Sequence, residues 1–420
     1  MSPPSSSPRI DPMSRRVDGL ARTISGARET LRLGILKLTD SAPVVMAHEL
    51  GLFAEERLDV AIAVEPSWAN IADKLAYGIL DGAILLPPLA MAICLGLRGA
   101  ASCPLVVPMS LSLGGNTVTL SAALADALPR GTLGKGPLAV AQALATLHAL
   151  RRGGGSPTLA VVHAFSTHNL LLRYWLAAGG IDPERDLNLV IVPPARVVQA
   201  IQQGRIDGFC AGAPWGRVAE RAGLGVTVAT SHDIWRNGPE KIFAVRAAWA
   251  ERHPETLQAL LRALLRAARI CDDPARASEI AATLSHERYL DMPAELLLSS
   301  LPGRGDRASR TASIFFANAA TFPWRSHALW TLREMARWNL IGADLDVPAA
   351  AHSIYRPDLY AIAAAAVGAS VPLADRKTEG THRGAWTIDA RPSPITMGAD
   401  LFCDGRVFDP VALPPRVAAP

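Results

Sequence analysis

One six-residue phrase occurs twice in this chain, and it narrows the fold more than any other feature. Gly78-Ile79-Leu80-Asp81-Gly82-Ala83 is echoed by Gly204-Arg205-Ile206-Asp207-Gly208-Phe209. Each copy follows a short helical stretch, leads into an apolar run, and soon meets a proline (Pro87, Pro214). A supersecondary unit repeated in two halves implies two similar α/β lobes. Two such lobes leave a cleft facing the carboxyl ends of their strands, which is where ligands bind in this class of architecture.

The residues around the first copy fit that reading. Leu31 to Leu36 is a short apolar run, and Pro43 opens a helical stretch that Gly51 ends. Residues 59–64 are strand-like. Ser67 can cap a helix from Trp68 to Tyr77, with Ile71 and Leu75 on one face and Gly78 closing it. Ala83 to Leu86 is a buried strand stopped by Pro87-Pro88. Strands alternating with helices predict mostly parallel sheets with helices on their faces. After Phe243-Ala244-Val245 the pattern turns to longer helices, at 256–270, 277–284 and 327–338, with a loop at 303–310. A further helix is expected at 360–367. The Gly, Pro and Asp breaks beyond it read as a loosely packed extension.

Composition removes several function classes. The chain is 420 residues long, 50% hydrophobic and 19% charged, enough for two or three structural units and too apolar for a disordered polymer. No stretch reaches the roughly 18 uninterrupted apolar residues of a membrane span. The formal net charge is only +4, with no concentrated basic face, which argues against direct nucleic-acid binding. Cys94, Cys103, Cys210, Cys271 and Cys403 are odd in number and form no CxxC pair, as expected of reduced thiols in a cytoplasmic protein. Ser14-Arg15-Arg16 suggests a twin-arginine signal, but Asp18, Gly19, Arg22, Arg28 and Glu29 interrupt the apolar stretch such a signal needs. Residues 1–29 therefore read as a disordered tail, and the expected localisation is cytoplasmic.

Catalytic templates fail one after another. Gly131 to Gly136 lacks the Ser/Thr that follows the lysine of a phosphate loop. His48-Glu49 has Leu52 where a zinc motif needs its second histidine. No G-x-S-x-G elbow, dinucleotide fingerprint or His/Cys cluster of metal spacing occurs. No enzyme, metal or cofactor is expected.

What remains is a set of polar and aromatic residues at the ends of elements. Trp68 follows a helix N-cap, where backbone N–H groups favour an anion. Asn116 follows Gly114-Gly115 in an expected crossover between lobes. Thr167-His168 opens a helix, Ala211-Gly212 ends the second repeat strand, and Lys241 precedes a strand. Each has an ordinary reading too. Trp68 and Trp215 could simply pack, and Lys241 could be a solvated turn residue.

The set as a whole resembles one family. "LTDSAPVVMAHELGLF", "PSWANIADKLAYGILDGAILLPPLAMAICLGL", "GGNTVTLS", "THNLLLRYWLAAGGIDP", "DGFCAGAPWG", "GPEKIFAVRAAW" and "FPWRSHALWTLREMARW" occur in that order. They are similar to segments of the nitrate-binding proteins of ABC transporters and their relatives, the NrtA/NasS family, over about residues 30–365. The resemblance implies a two-lobed periplasmic-binding-protein-like fold of type II, each lobe a mostly parallel sheet flanked by helices, with a C-terminal helical extension. The corresponding boundaries are 30–118 plus 246–343 for lobe one, 119–245 for lobe two, and 344–420 for the extension.

The same resemblance implies that Trp68, Asn116, His168, Gly212 and Lys241 form an anion pocket. Asn116 stands where the family usually has Gln, and Ala213 where the transporter proteins usually carry Glu. Nitrate and nitrite have only acceptor oxygens, so Lys241 would supply charge, Asn116 an amide, His168 a ring N–H, and Gly212 an unobstructed backbone. Bicarbonate-binding relatives use acidic residues and calcium, against which Lys241 argues. Trp324 and His327 also match the family but are expected to pack. An unexported member resembles the cytoplasmic NasS sensors, which bind an RNA-binding antiterminator of the NasT type and release it when nitrate or nitrite is present. The expected function is such a nitrate/nitrite sensor, its partner surface spanning both lobes. The alternatives are the solute-binding component of a nitrate ABC importer and an enzyme on the same fold, such as a thiamin-pyrimidine synthase.

Overall fold

A computed structural model describes residues 30–97, 99, 101–150, 156–303 and 310–412. The expected tail at 1–29 and most of the expected loop at 303–310 lie outside the described residues. Eleven strands form two mixed sheets. The first contains β1 (Leu31–Ile35), β2 (Val60–Val64), β3 (Gly82–Leu85), β4 (Leu105–Gly114), β10 (Pro239–Arg246) and β11 (Ser313–Ile314), in the order β11-β4-β10-β3-β1-β2. The second contains β5 (Asn116–Ser121), β6 (Thr158–Val161), β7 (Asn188–Ile191), β8 (Gly208–Gly212) and β9 (Gly225–Thr230), in the order β7-β6-β8-β5-β9.

The repeated phrase is a repeated piece of structure. In both copies the first glycine sits in the left-handed region, with φ +77° at Gly78 and +63° at Gly204, and the second glycine opens the strand. Its aspartate has the same task in each lobe. Asp81 accepts from the Arg32 N–H at 2.9 Å, and Asp207 from the Thr158 N–H at 2.8 Å, tying the turn to the neighbouring parallel strand, β1 in one lobe and β6 in the other. The second glycine is required by close approach. A Cβ on Gly82 would lie 2.6 Å from the Phe243 ring, and one on Gly208 2.8 Å from the Thr119 carbonyl.

In the two large sheets the parallel pairs among the described residues are β1 with β2 and β3, and β6 with β7 and β8. The expectation of mostly parallel sheets is corrected here, because β10 runs antiparallel to β3 and β4, and β5 antiparallel to β8 and β9. These are the strands that lead the chain between lobes, and they enter from the opposite direction. The changeover from sheet to sheet falls at Gly114-Gly115, both with positive φ, and again between Thr230 and Pro239. Residues 118 and 245, the boundaries drawn from the sequence, lie inside β5 and β10.

Helices cover both sheets. Pro254–Cys271 carries a continuous apolar stripe from Leu257 to Cys271 against Ala42–Glu49 and Pro357–Ala366. The C-terminal part is not loosely packed. After the helices Val347–Ile354 and Pro357–Ala366 it forms two short strand pairs and then crosses the inter-lobe segment. There the Arg236 N–H donates to the Leu401 carbonyl and the Cys403 N–H to the Ile234 carbonyl, both at 2.8 Å. Phe402 packs on Trp235, Tyr174 and Trp330. Tyr174 Oη donates to Asp404 at 2.8 Å. The extension therefore touches both lobes and the connection between them.

Candidate functional site

The two lobes meet where the sequence placed its polar set. The Thr39 N–H of the first lobe donates to the Ala213 carbonyl of the second at 3.1 Å. Trp68 begins the helix Trp68–Ala76, capped by the Ser67 hydroxyl, which accepts from the Asn70 N–H at 3.2 Å. The helix Thr167–Ala178 starts the same way, with Ser166 accepting from the Asn169 N–H at 3.0 Å. Both caps leave the first side chains of their helices aimed at the cleft. Asn116 and Gly212 are paired residues of β5 and β8. Lys241 comes from β10, beside Ser112 of β4.

All five residues expected at the site are brought together and buried. Lys241 is fully enclosed, its Nζ 5.6 Å from the centre of the Trp68 ring. A Cβ on Gly212 would lie 3.5 Å from Asn116 Oδ1 and 3.6 Å from His168 Nε2, so the open side of that glycine faces both. The alternative of Lys241 as a solvated turn residue is overturned.

Two carboxylates complete the cluster. Lys241 Nζ lies 2.6 Å from Glu240 Oε1 and 2.9 Å from Asp40 Oδ2. The Asn116 amide does not point into free space but donates to Glu240 Oε2. His168 Nε2 is 3.7 Å from Glu240 Oε1, beyond hydrogen-bond reach. Burial opposes the charge on Lys241, but Asp40 and Glu240 outweigh it and hold the ammonium above its ordinary pKa. Burial pushes the Glu240 carboxyl up despite Lys241 and Asn116. Burial, and then the Lys241 charge, hold His168 well below its usual value, so its ring is neutral.

Several buried polar atoms here have no hydrogen-bond partner: Trp68 Nε1, Thr167 Oγ1, both ring nitrogens of His168, Asn116 Oδ1 and Asp40 Oδ1. Unpaired buried polar groups each cost about 1–3 kcal/mol. A cluster of them at one place points to a ligand with complementary groups. Trp68 and Thr167 offer donors, His168 one donor in its neutral form, and Lys241 the charge.

Sequence reading missed Asp40 and Glu240. Strict strand alternation puts neighbours 240 and 241 on opposite faces. The pairing of β10 with β4 is irregular on both sides of Lys241, which lets both side chains reach one site. Asp40 sits in a single helical turn, Thr39–Ser41, after β1. Lys241 alone does not exclude a metal from this place, since two carboxylates lie against it. Among the described residues no group of three or more His, Cys, Asp or Glu has metal-holding geometry. Trp324 packs edge-on against Phe322, as expected. His327 does more, lying 3.4 Å from buried Glu379.

A groove of about 540 Å³ opens nearby between the lobes, lined by Leu36, Lys37, Ser67 and Asn70 on one side and Pro193 to Arg196 on the other. A larger cavity of about 990 Å³ lies on the outer side of the first lobe, between Leu105, Leu257 and Leu359. None of the buried polar cluster lines it, so size is a poor guide to the chemistry here.

The NMT1-like family matches residues 26–285. The nitrate/nitrite binding protein NrtA of Synechococcus elongatus is 32% identical over 90% of this chain and 83% of its own length. The chain belongs to the NMT1-like family, among the relatives of NrtA. The crystal structure of periplasmic nitrate-binding NrtA from Synechocystis superposes with a TM-score of 0.79 at 28% identity, covering 91% of this chain and 96% of that one. The nitrate import ATP-binding protein NrtC of Synechocystis is 36% identical over 79% of this chain, but this chain spans only 49% of its length. The NMT1-like assignment and the NrtA superposition agree with the two-lobed periplasmic-binding-protein-like fold built above.

Proposed function

We propose that this chain binds nitrate or nitrite between its lobes, as a binding protein and not an enzyme. One observation carries the reading. Lys241, held by Asp40 and Glu240, converges in a buried place between the lobes with the Trp68 and His168 ring nitrogens and the Thr167 hydroxyl, all three unpartnered, and the open face of Gly212. A small planar anion that only accepts hydrogen bonds suits that set. Each charge-assisted bond is worth about 1.5–3 kcal/mol, so three give roughly −8 kcal/mol, or micromolar affinity. The NrtA relatives are named for nitrate and nitrite, which supports the choice of anion.

The finer role we propose is a cytoplasmic sensor. Anion binding favours closed lobes, and a partner that prefers them open, an antiterminator of the NasT type, dissociates. The shift is limited by the anion's differential affinity for the two states. A partner surface across both lobes would include the C-terminal segment, which already touches both. The second reading, a solute-binding component of a nitrate ABC importer, is favoured by the nitrate import in the name of the NrtC relative and by the periplasmic location in that of the NrtA structure.

Calorimetric titration of desalted protein with nitrate, nitrite and bicarbonate, with and without calcium, tests the site. Micromolar nitrate or nitrite binding that is independent of calcium and lost in Lys241→Ala is expected. Binding of bicarbonate alone, or of none of the three, overturns the reading. Co-purification with an antiterminator that nitrate abolishes separates sensor from importer component.

A further inference from the structure

Glu240 lies against three of the residues expected at the site. Its Oε1 lies 2.6 Å from Lys241 Nζ and 3.7 Å from His168 Nε2, and its Oε2 accepts from the Asn116 amide. It is 1% exposed. The charged and titratable groups facing it come from several elements: Lys241 on β10, Asp40 in the turn after β1, His168 at the start of its helix, and the Cys210 thiol on β8. Burial first, and Glu240 second, push Cys210 up, so it stays a neutral thiol. His168 is neutral for the reasons given above.

The charge count is then one ammonium against two carboxylates, a net of −1 in a place closed to water. A monovalent anion entering unchanged would raise this to −2, beside two carboxylates and with a single cation to share. Buried uncompensated charge costs several kcal/mol per ion, and such sites neutralise a group in preference. Asp40 has one carboxylate oxygen on Lys241 and no hydrogen-bond partner on the other. Glu240, by contrast, is positioned between Lys241, Asn116 and His168, three of the residues expected to hold the anion. A proton on Glu240 would release one Lys241 N–H and turn an acceptor into an O–H donor, both directed at an ion that only accepts.

We infer that Glu240 enters the binding site as a carboxylic acid and that one proton is taken up with each anion bound. No covalent bond changes; the proton comes from solvent and resides on a Glu240 oxygen. Burial already disposes the carboxyl to hold a proton. With Glu240 protonated, the site has one acceptor fewer and one donor more, which suits nitrate or nitrite, ions that carry no proton. The inference rests on the anion reading proposed above.

The experiment is nitrate titration of the full chain between pH 6 and 9, with proton uptake read by an indicator dye in weakly buffered solution. Uptake approaching one proton per nitrate is expected at the upper end, with affinity falling by up to about tenfold per pH unit. Glu240→Gln, which imitates the protonated shape, removes both the uptake and the pH dependence. Nitrate binding by the native protein with no proton uptake and constant affinity overturns this inference alone. Persistent uptake in Glu240→Gln also overturns it, and assigns the proton to His168. No nitrate or nitrite binding at any pH overturns the anion reading and this inference with it.

Discussion

Replacing Gly212 with alanine should make the fold slightly more stable and the binding much weaker. Gly212 ends β8 with φ outside the left-handed region, so alanine meets no backbone strain. Its Cβ would lie 3.4 Å from Leu38 Cδ2, 3.5 Å from Asn116 Oδ1 and 3.6 Å from His168 Nε2, all ordinary contacts. Exchanging glycine for alanine at a compatible position lowers the entropy of the unfolded chain and stabilises by about 0.4–1 kcal/mol. The same methyl would occupy space beside the Asn116 and His168 side chains, where the anion is proposed to lie. It should remove one charge-assisted contact, about 1.5–3 kcal/mol, or roughly 10- to 150-fold in nitrate Kd. Thermal unfolding and calorimetry on one preparation read both effects. Nitrate affinity within twofold of the native protein would refute the claim that Gly212 faces the ligand. A fall in stability of more than about 1 kcal/mol would refute the packing argument.

Other perturbations test the frame around the site. Burial works against ionising Glu379, but Lys377 and His327 overcome it and hold its carboxyl at about 2, below the usual 4.5. A depressed carboxylate stabilises above its unfolded value, so this contribution, on the order of 3 kcal/mol, is present above about pH 4.5 and lost as pH falls toward 2. Glu379→Gln should be less stable than the native protein in urea at pH 7, the gap narrowing in acid; a gap of the same size at pH 3 contradicts this. Phe402→Ala should cost about 3–5 kcal/mol, since the ring fills a cluster with Trp235, Trp330 and Tyr174. Unfolding monitored by tryptophan fluorescence checks it, and a loss under 1 kcal/mol would show that the C-terminal segment is not integral to the fold.

The legible parts of the sequence were those whose chemistry is local. Gly78, Asp81 and Gly82 stand together in one short phrase, so its repetition at 204, 207 and 208 announced a second lobe even though Asp81 reaches Arg32 and Gly82 packs on Phe243. Ser67 and Ser166 cap their helices through the adjacent turn, so the positions of Trp68 and His168 followed. The lobe boundary was not legible at 245 because nothing in the β10 sequence says which sheet it joins, and only its partners β3 and β4 assign it. The order of the C-terminal segment was hidden for a related reason. Residues 370–412 lack helical or strand periodicity, and their stability comes from distant partners such as Ser326, which donates to Glu379 at 2.7 Å. At the site, the resemblance supplied Trp68, Asn116, His168, Gly212 and Lys241. Glu240 escaped because an irregular strand breaks the alternation that sequence reading assumes, and Asp40 because nothing in a three-residue turn marks a side chain that reaches a buried lysine.

The most direct test of the account is a crystal structure of the chain grown with nitrate. The account predicts an anion between the lobes, within hydrogen-bond distance of Lys241 Nζ, a His168 ring nitrogen and Trp68 Nε1, and lying over Gly212. An anion bound only in the groove beside Lys37 and Arg196, or no anion within reach of Lys241 at concentrations that saturate binding in solution, would contradict it.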